Sequence, residues 1–386
     1  MSSGKRLLWV ISYHHACNDG ALLALVAILP ILVQEMDLSY SEIGLLGFGL
    51  LITVIIQLVV GKAADRIFSR YLLELGAGLM ALSFILIPLA SNFLGLFVAV
   101  ISMRVGASFY HPIGISWITK RYEGSYLDTA LGIQSGVGNL GVILAFASSG
   151  FLGEIYGWRT PCIIWAVLNI IAMIAGIILM RNEEPLKTKS VSKIETSFKD
   201  TFTRIGIMAI PIAAGGALYQ VTSYFGPLNL TELHGWSVGD ADLVFAIWIG
   251  IGTVSSYYFG RLSNRFGRGR LLIYGYAVSS ICVLMLPFLS SWITIAPVLV
   301  LFGAMLFITY PALFSLISKA TRQEERGTAF GLLFGFQLGG GAVVVYLCGI
   351  VSDHFNDPSY SFFIVFILGL ASIGALSTWM RGVDKS

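Results

Sequence analysis

The sequence predicts an all-α membrane protein with twelve transmembrane helices in two six-helix bundles. Of its 386 residues, 56% are apolar and only 12% are charged, about half the charged share of an average soluble protein. The apolar residues fall into runs of roughly 20 residues, the length of a helix that crosses a bilayer. The two halves of the chain also repeat one another. This composition excludes a disordered chain, an ordinary soluble enzyme and a disulfide-bonded scaffold.

Twelve apolar runs define the predicted helices 1 to 12. They lie near residues 7–33, 42–62, 71–90, 93–118, 129–152, 161–180, 204–230, 241–260, 271–289, 293–318, 327–350 and 360–380. Residues 181–203 form the longest polar stretch. We interpret this stretch as a linker on the cytoplasmic side, between a bundle over residues 1–180 and a bundle over residues 204–386.

The basic residues indicate the orientation in the membrane. Of the 24 Lys and Arg residues, 22 fall in the termini, the linker and alternate loops, whereas the opposite loops contain one basic residue, Arg159. Cytoplasmic loops of membrane proteins carry an excess of Lys and Arg. We therefore expect both termini in the cytoplasm and the protein in the cell membrane. The last basic residue, Arg104, lies inside an apolar run.

An internal repeat relates the two halves at a constant offset of 199 residues. Its pairs include Gly61 and Gly260, Pro88 and Pro287, Pro112 and Pro311, Gly132 and Gly331, and Glu154 and Asp353. An even number of helices in each repeat gives both halves the same orientation in the membrane. We therefore expect a parallel repeat, with a substrate site where the halves meet near the membrane midplane.

A Gly-x-x-x-Asp/Asn-Arg motif follows predicted helices 2 and 8. Its residues are Gly61, Asp65, Arg66 and Arg70 in the first copy, and Gly260, Asn264, Arg265 and Arg268 in the second. Glycine allows close helix approach, and the charged groups can form contacts to neighbouring helix ends. We expect these contacts to hold one conformation and to break in another. Ordinary loop charge, the alternative, does not explain the same spacing in both halves.

With these two loops the sequence resembles the major facilitator superfamily, whose signature is this motif in both halves of a twelve-helix transporter. The resemblance covers the whole chain and implies the major facilitator fold. An acid is common in that family where Asn264 stands, so we expect the second loop contact to be weaker. A closer resemblance, to the fosmidomycin-resistance group of drug exporters, rests on the segments His15–Asp19 and Tyr110–Pro112 and on the link from Pro30 to Gly44.

Two charged residues lie at mid-depth of the predicted helices, Asp19 in helix 1 and Arg104 in helix 4. Each charge costs about 3 kcal/mol at the membrane centre, so we expect both to be functional. Helices 1 and 4 line the central cavity in the family that the chain resembles, which implies that the two groups face each other. We predict that Asp19 is the proton-coupling carboxylate and that Arg104 is its partner or binds an anion. The alternative is a buried ion pair that only packs the two helices.

Other polar residues share helix faces with these two. His15 and Asn18 lie on the Asp19 face, and His111 lies seven residues after Arg104. We predict a proton-coupling role for His15 and substrate contacts for a set that comprises Asn18, Tyr110 and His111. His111 precedes Pro112, so a structural role at a kink is an alternative. His14 and His15 are adjacent and point to different faces, so we expect no metal site.

The second half offers uncharged candidates for substrate binding, namely Gln220 and Tyr224 in helix 7 and Tyr310 in helix 10. Aromatic core packing is the alternative for the tyrosines.

Helix 5 contains a glycine run, Gly132-x-x-x-Gly136-x-Gly138-x-x-Gly141, and its counterpart spans Gly331 to Gly341. We expect these runs to form close, gating helix contacts. Substrate candidates within the two runs are Gln134, Asn139 and Gln337. The first run resembles an antiporter signature, but Val137 stands where that signature has proline.

These features predict a secondary transporter that works by alternating access and exports a small amphipathic or anionic compound in exchange for protons. The alternatives are a proton-coupled uptake symporter for a small organic anion, sodium in place of protons, and a sensor or an intramembrane enzyme. The sequence has no HExxH, GxSxG or ATP-binding loop, so we expect no enzyme. We expect protons, a small-molecule substrate and the lipid bilayer as partners, no nucleic acid, no cofactor and a monomer.

Overall fold

A computed structural model describes residues 3–63, 69–181, 202, 205–322 and 326–383. The regular structure of these ranges is helical. Asp65 and Arg66 of the loop motif lie outside the described residues, as does most of the predicted linker.

The first half of the chain forms nine helices within the described residues. They are α1 (Ser3–Ala27), α2 (Leu29–Met36), α3 (Tyr40–Phe48), α4 (Leu50–Ala63), α5 (Ser69–Leu86), α6 (Phe93–Ala107), α7 (Tyr110–Arg121), α8 (Ser125–Tyr156) and α9 (Arg159–Leu179). The axes of α1 and α2 differ by 45°. Pro30 lies at this bend and has no N–H to donate to the preceding turn, which explains the change of direction.

The second half forms eight α-helices within the described residues. They are α10 (Ala209–His234), α11 (Val238–Tyr257), α12 (Phe259–Phe266), α13 (Arg268–Met285), α14 (Trp292–Ala320), α15 (Arg326–Phe334), α16 (Gly340–Phe355) and α17 (Tyr360–Val383). A π-helical turn, Gly335–Gly339, joins α15 to α16. Such turns are rare and often occur at functional sites.

The described part of the chain contains ten helical segments that are long and apolar enough to cross a membrane, and the bent pair of α1 and α2 would make eleven. The protein is therefore a multi-pass membrane protein. The remaining predicted span, near 204–230, corresponds to α10, which has 26 residues but does not meet the same apolarity criterion. Buried polar side chains explain this difference, among them Thr222, Ser223 and Asn229.

The internal repeat reappears in local geometry. The 3₁₀ turns Ile87–Leu89 and Leu286–Phe288 each contain one of the paired prolines. Helices α8 and α16 both end at a residue with positive φ, Gly157 at 86° and Asn356 at 50°, and these two residues are 199 positions apart. Equivalent backbone breaks at one offset are what a duplicated bundle requires.

The chain forms two compact units. Unit 1 comprises Met1–Leu38, Gly49–Ser190 and Ser237–Ala246, and unit 2 comprises Ser39–Phe48, Val191–Trp236 and Ile247–Ser386. They follow the two sequence halves, except that α3 groups with unit 2 and the first turns of α11 group with unit 1. The boundaries predicted for the bundles and the linker stay a prediction.

In unit 1, α1 packs against α8 and α9, and glycine permits the contact with α8. A Cβ on Gly141 would overlap the backbone of Ala16, so a side chain there would separate the helices. Close packing at the glycine run of α8 is confined to its second part, and the gating role of the run stays a prediction. A Cβ on Gly132 or Gly136 would meet no described atom within 4 Å, and the same is true of their counterparts in the second half, Gly331 and Gly335.

Candidate functional site

Asp19 lies at the centre of an acid–base cluster in unit 1. Its Oδ2 is 3.0 Å from Nε2 of His15, one turn earlier on α1, and its Oδ1 is 3.2 Å from Nε2 of His111 on α7. The side-chain amide of Asn18 donates to Oδ1 at 2.8 Å. The side chain of His15 is 9% exposed and that of His111 is 37% exposed. The cluster is therefore closed at His15 and accessible at His111.

Nδ1 of His15 lies between two groups of Gln134. It is 2.9 Å from the backbone carbonyl oxygen and 2.7 Å from the side-chain amide nitrogen. The ring hydrogen of a neutral imidazole can therefore lie on Nδ1, facing the carbonyl, or on Nε2, facing Asp19. A neutral His15 donates to one of these two oxygens, whereas a protonated His15 donates to both. A proton added to the pair therefore lets both contacts be hydrogen bonds at once.

Three neighbours fix the ring of His15. The phenol of Tyr110 stacks on it with ring centroids 4.6 Å apart, and Tyr110 is itself buried. The side-chain amide of Gln134 contacts both Nδ1 of His15, at 2.7 Å, and the Tyr110 hydroxyl, at 2.8 Å. A Cβ on Gly138 would overlap the imidazole, so α8 forms the other wall. Tyr110 and Gln134 therefore support His15, in addition to any contact with substrate.

The donor atoms of His15, Asp19 and His111 lie within 4.8 Å of one another, the one cluster of potential metal ligands among the described residues. The nitrogen–oxygen distances of 3.0 and 3.2 Å are hydrogen-bond lengths. We therefore interpret the three residues as a hydrogen-bonded acid–base cluster.

Arg104 lies in the last turn of α6 and is 4% exposed, and its backbone carbonyl accepts a hydrogen bond from Thr53. Among the described residues, the groups within ion-pair distance of Asp19 are the two histidines. Between Arg104 and His111 the predicted helix 4 is interrupted at residues 108 and 109. Pro112 lacks the N–H that would bond to the carbonyl of residue 108, which explains the interruption. The pairing of Asp19 with Arg104 stays a prediction.

The candidates of the second half lie in unit 2, around α10. Tyr224 is 3% exposed, which fits the alternative of core packing. Gln220 is half-buried, and its Cγ would contact a Cβ on Gly341. The hydroxyl of Tyr310 donates to the carbonyl of Gly215 at 3.3 Å.

Two amide candidates, Gln337 and Asn139, are half-buried. Gln337 lies in the π-helical turn, where its backbone carbonyl would overlap a Cβ on Gly216. Asn139 lies on α8, five residues after Gln134. The structure therefore brings His15, Asn18, Asp19, Tyr110, His111 and Gln134 into one cluster, and places the second-half candidates in the other unit.

The loop motif makes one of its predicted contacts among the described residues. Nη1 of Arg70 donates to the carbonyl of Met180 at the end of α9, where a cation is favourable. A Cβ on Gly61 would have only an ordinary contact with Pro112, and one on Gly260 would meet no described atom. The motif glycines are therefore not required for close packing in this conformation. In the second copy Asn264 and Arg265 are exposed, and Arg268 begins α13.

Glu74, which sequence reasoning missed, is a buried carboxylate on α5 that is 8% exposed. Its Oε1 lies 3.6 Å from Nε of Arg70. An acidic residue inside an apolar run is itself a signal of function, and that signal was present in the run 71–90.

Two carboxylates accept hydrogen bonds from helix N-termini. Glu154, at the end of α8, accepts from the backbone N–H groups of Val238 and Gly239 at 2.5 and 3.0 Å, where α11 begins. Asp353, at the end of α16, accepts from Tyr40 and the next residue at 2.7 and 2.9 Å, where α3 begins. The first N–H groups of a helix lack intrahelical partners and favour negative charge. The two capping carboxylates are partners in the repeat.

Comparisons with known proteins agree with this fold. The family model described as Major Facilitator Superfamily matches residues 15–345. The fosmidomycin resistance protein of Escherichia coli (strain K12) is 24% identical over 365 residues, covering 90% of this chain and 86% of that protein. The class B tetracycline resistance protein of Escherichia coli is 24% identical over 393 residues, covering 96% and 93%. A solved structure of a variant of the nucleoside transporter NupG matches with a TM-score of 0.83 at 16% identity, covering 98% and 99%.

Proposed function

The chain belongs to the Major Facilitator Superfamily of transporters, and from this premise we propose that it exports a small amphipathic or anionic compound in exchange for protons. It would work by alternating access in the cell membrane, with both termini in the cytoplasm. The charge distribution of the loops supports that orientation. The resistance proteins among its relatives support export over uptake.

The observation that carries the proposal is the placement of His15 between two acceptors. Nδ1 of His15 faces a carbonyl oxygen and Nε2 faces Asp19, so both contacts are hydrogen bonds at once only while the pair holds an added proton. Loss of that proton leaves His15 one ring hydrogen for the two oxygens and weakens the cluster. The cluster is therefore a proton-binding group at membrane depth, which is what coupling to a proton gradient requires.

Exposure of the cluster at His111 explains how a substrate competes with the proton. A compound with a hydrogen-bond donor can replace the proton at Asp19, so that proton and substrate bind alternately. That exclusion is the requirement for antiport. From unit 2 we propose Gln220, Tyr224, Tyr310 and Gln337 as uncharged substrate contacts.

The partial exposure of His111 favours a second candidate function, uptake by symport. A protonated imidazole at the accessible edge of the cluster would bind an organic anion. Proton and substrate would then bind together, and transport would follow the proton gradient inward.

The pH dependence of binding distinguishes the two functions. We expect the affinity of purified protein for ethidium, an amphipathic donor-bearing probe, to fall about tenfold for each unit of pH decrease while one proton competes with it. Fluorescence polarisation measures this affinity. The Asp19→Asn variant should lose the pH dependence, whereas Glu35→Gln, a change at an exposed carboxylate, should retain it. Affinity for the anionic probe fosmidomycin that rises as the pH falls would support symport instead.

A further inference from the structure

Two buried polar side chains of unit 1 have no role in the site described above. His14 on α1 is 3% exposed and Glu74 on α5 is 8% exposed. Nε2 of His14 and Oε1 of Glu74 are buried and have no hydrogen-bond partner among the described residues. The contact of Oε1 with Nε of Arg70, at 3.6 Å, is an ion pair longer than a hydrogen bond. Buried polar atoms without a hydrogen bond are costly, so a ligand that satisfies both atoms would stabilise this part of the bundle.

The ring of His14 lies beside the backbone of α9 at Ala172. Nε2 is buried and has no hydrogen-bond partner among the described residues. We assign the ring hydrogen to Nδ1, which leaves the lone pair of Nε2 able to accept a proton.

These two atoms, Nε2 of His14 and Oε1 of Glu74, face the same point in the fold. A Cβ built on Gly176 of α9 would lie 3.2 Å from Nε2 of His14 and 3.3 Å from Oε1 of Glu74. The missing side chain of Gly176 thus leaves a space bounded by one proton acceptor and one carboxyl group. A proton on one group, shared with the other through a bridging water molecule, would satisfy both groups.

A small cavity lies between His14 and the neighbours of the acid–base cluster. Its polar lining consists of His14, Asn18, Tyr110 and Asn169, and it has room for about one water molecule. Asn18 donates to Asp19, and Tyr110 stacks on His15. The cavity therefore borders His14 directly and the cluster through Asn18 and Tyr110.

Glu74 also lies close to one end of the bundle. It is one helical turn, about 6 Å along the axis, from Arg70, whose guanidinium contacts the carbonyl of Met180 at the end of α9. Arg70 belongs to the basic side that we expect to be cytoplasmic. Among the described residues, Tyr110 on α7 lines the cavity beside His14, and Arg70 is the charged neighbour of Glu74. The α9 residues that face the pair, Ala172 and Gly176, are uncharged.

We propose that His14 and Glu74 form a second proton-binding station, which exchanges protons between the Asp19 cluster and the Arg70 end of the first bundle. The proton leaves the cluster across the cavity and binds Nε2 of His14. It then passes to Oε1 of Glu74 and to water at the Arg70 end, and only N–H and O–H bonds form and break. This inference rests on the proposed function, because it gives the coupling proton a route separate from that of the substrate.

Proton binding can be measured without knowing the substrate. Proteoliposomes on a solid-supported membrane are switched from about pH 8 to about pH 6, a range across which histidine changes charge, and the displaced charge is recorded. We expect Glu74→Gln and His14→Asn each to lower the displaced charge about twofold, because two interacting sites take up protons in two steps. Asp19→Asn should remove the part of the displaced charge that comes from the Asp19 cluster. Glu74→Asp should restore the loss, and the matched controls Glu123→Gln and His354→Asn, both at exposed positions, should match the wild type.

The outcomes separate this inference from the proposed function. Wild-type charge in both Glu74→Gln and His14→Asn, with loss in Asp19→Asn, would overturn the second station and leave proton coupling at Asp19 intact. Reduced charge in Glu74→Gln that Glu74→Asp does not restore, together with lower thermal stability in both, would show a structural role and also overturn it. A wild-type protein with no displaced charge would overturn the proposed function and this inference together.

Discussion

At the scale of single residues, the carboxylate of Asp19 lies between two imidazoles with different surroundings. His15 is held by the Gln134 carbonyl, the Tyr110 ring and α8, whereas His111 is more than one-third exposed. A fixed, buried histidine is suited to holding a proton, because its orientation does not change when the proton leaves. An exposed histidine is suited to contact with a substrate. We therefore expect the two histidines to have separate roles in transport.

The glycines of α8 provide a test of the role of His15. In Gly138→Ala the new Cβ would overlap the imidazole of His15, and overpacking of this kind costs typically about 1–3 kcal/mol. We expect the ring to move away from Asp19 and proton-driven efflux of ethidium from vesicles to be lost. Gly136→Ala is the matched control, since its Cβ would meet no described atom within 4 Å. Equal efflux in the two variants would contradict the role of His15.

Part of the cluster could be predicted from the sequence. Asp19, His15 and Asn18 share a face of one uninterrupted helix, so their proximity follows from spacing alone. The pairing of Asp19 with Arg104 does not follow from spacing alone, because it requires two helices to face each other and an unbroken helix 4. Pro112 breaks that helix, whereas its partner in the repeat, Pro311, lies inside the continuous helix α14. Proline interrupts the helix at one of these positions and not at the other, so the surrounding packing decides whether the helix continues.

At the scale of helices, the two capping carboxylates connect ends of elements that are distant in sequence. Glu154 joins α8 to α11 within unit 1, and Asp353 joins α16 to α3 within unit 2. In both contacts a carboxylate accepts hydrogen bonds from the N–H groups that lack intrahelical partners at the start of a helix. The repeat pair of Glu154 and Asp353 was visible in the sequence. Their hydrogen bonds were not, because a repeat does not identify contact partners.

Hydrogen–deuterium exchange of the capped backbone N–H groups can measure the two capping contacts separately. In Asp353→Ala the backbone N–H of Tyr40 loses its acceptor, and loss of a cap costs about 1 kcal/mol, or roughly fivefold in local opening. We expect faster exchange at the start of α3 and unchanged exchange at the start of α11. Glu154→Ala should give the reverse pattern. Equal effects of both variants at both helices would show general destabilisation and contradict the two separate caps.

At the scale of the whole molecule, the chemistry of the two units differs although the fold repeats. The titratable groups at membrane depth that carry our proposals all belong to unit 1, whereas the candidates in unit 2 bear amide and phenol groups. The bilayer makes the fold class predictable, because a chain in lipid has to satisfy its backbone internally. It places no comparable constraint on polar side chains inside the bundles. For that reason the class of protein can be predicted from the sequence, whereas the proximity of Glu74 to His14 emerges only from the packing.

The central claim is that a proton held at Asp19 drives transport. Its most direct test is efflux of ethidium from proteoliposomes under an imposed pH gradient, compared with exchange of the same probe without a gradient. We predict that Asp19→Asn abolishes gradient-driven efflux and retains exchange, and that Glu35→Gln behaves as the wild type. Full gradient-driven efflux in Asp19→Asn would contradict the claim.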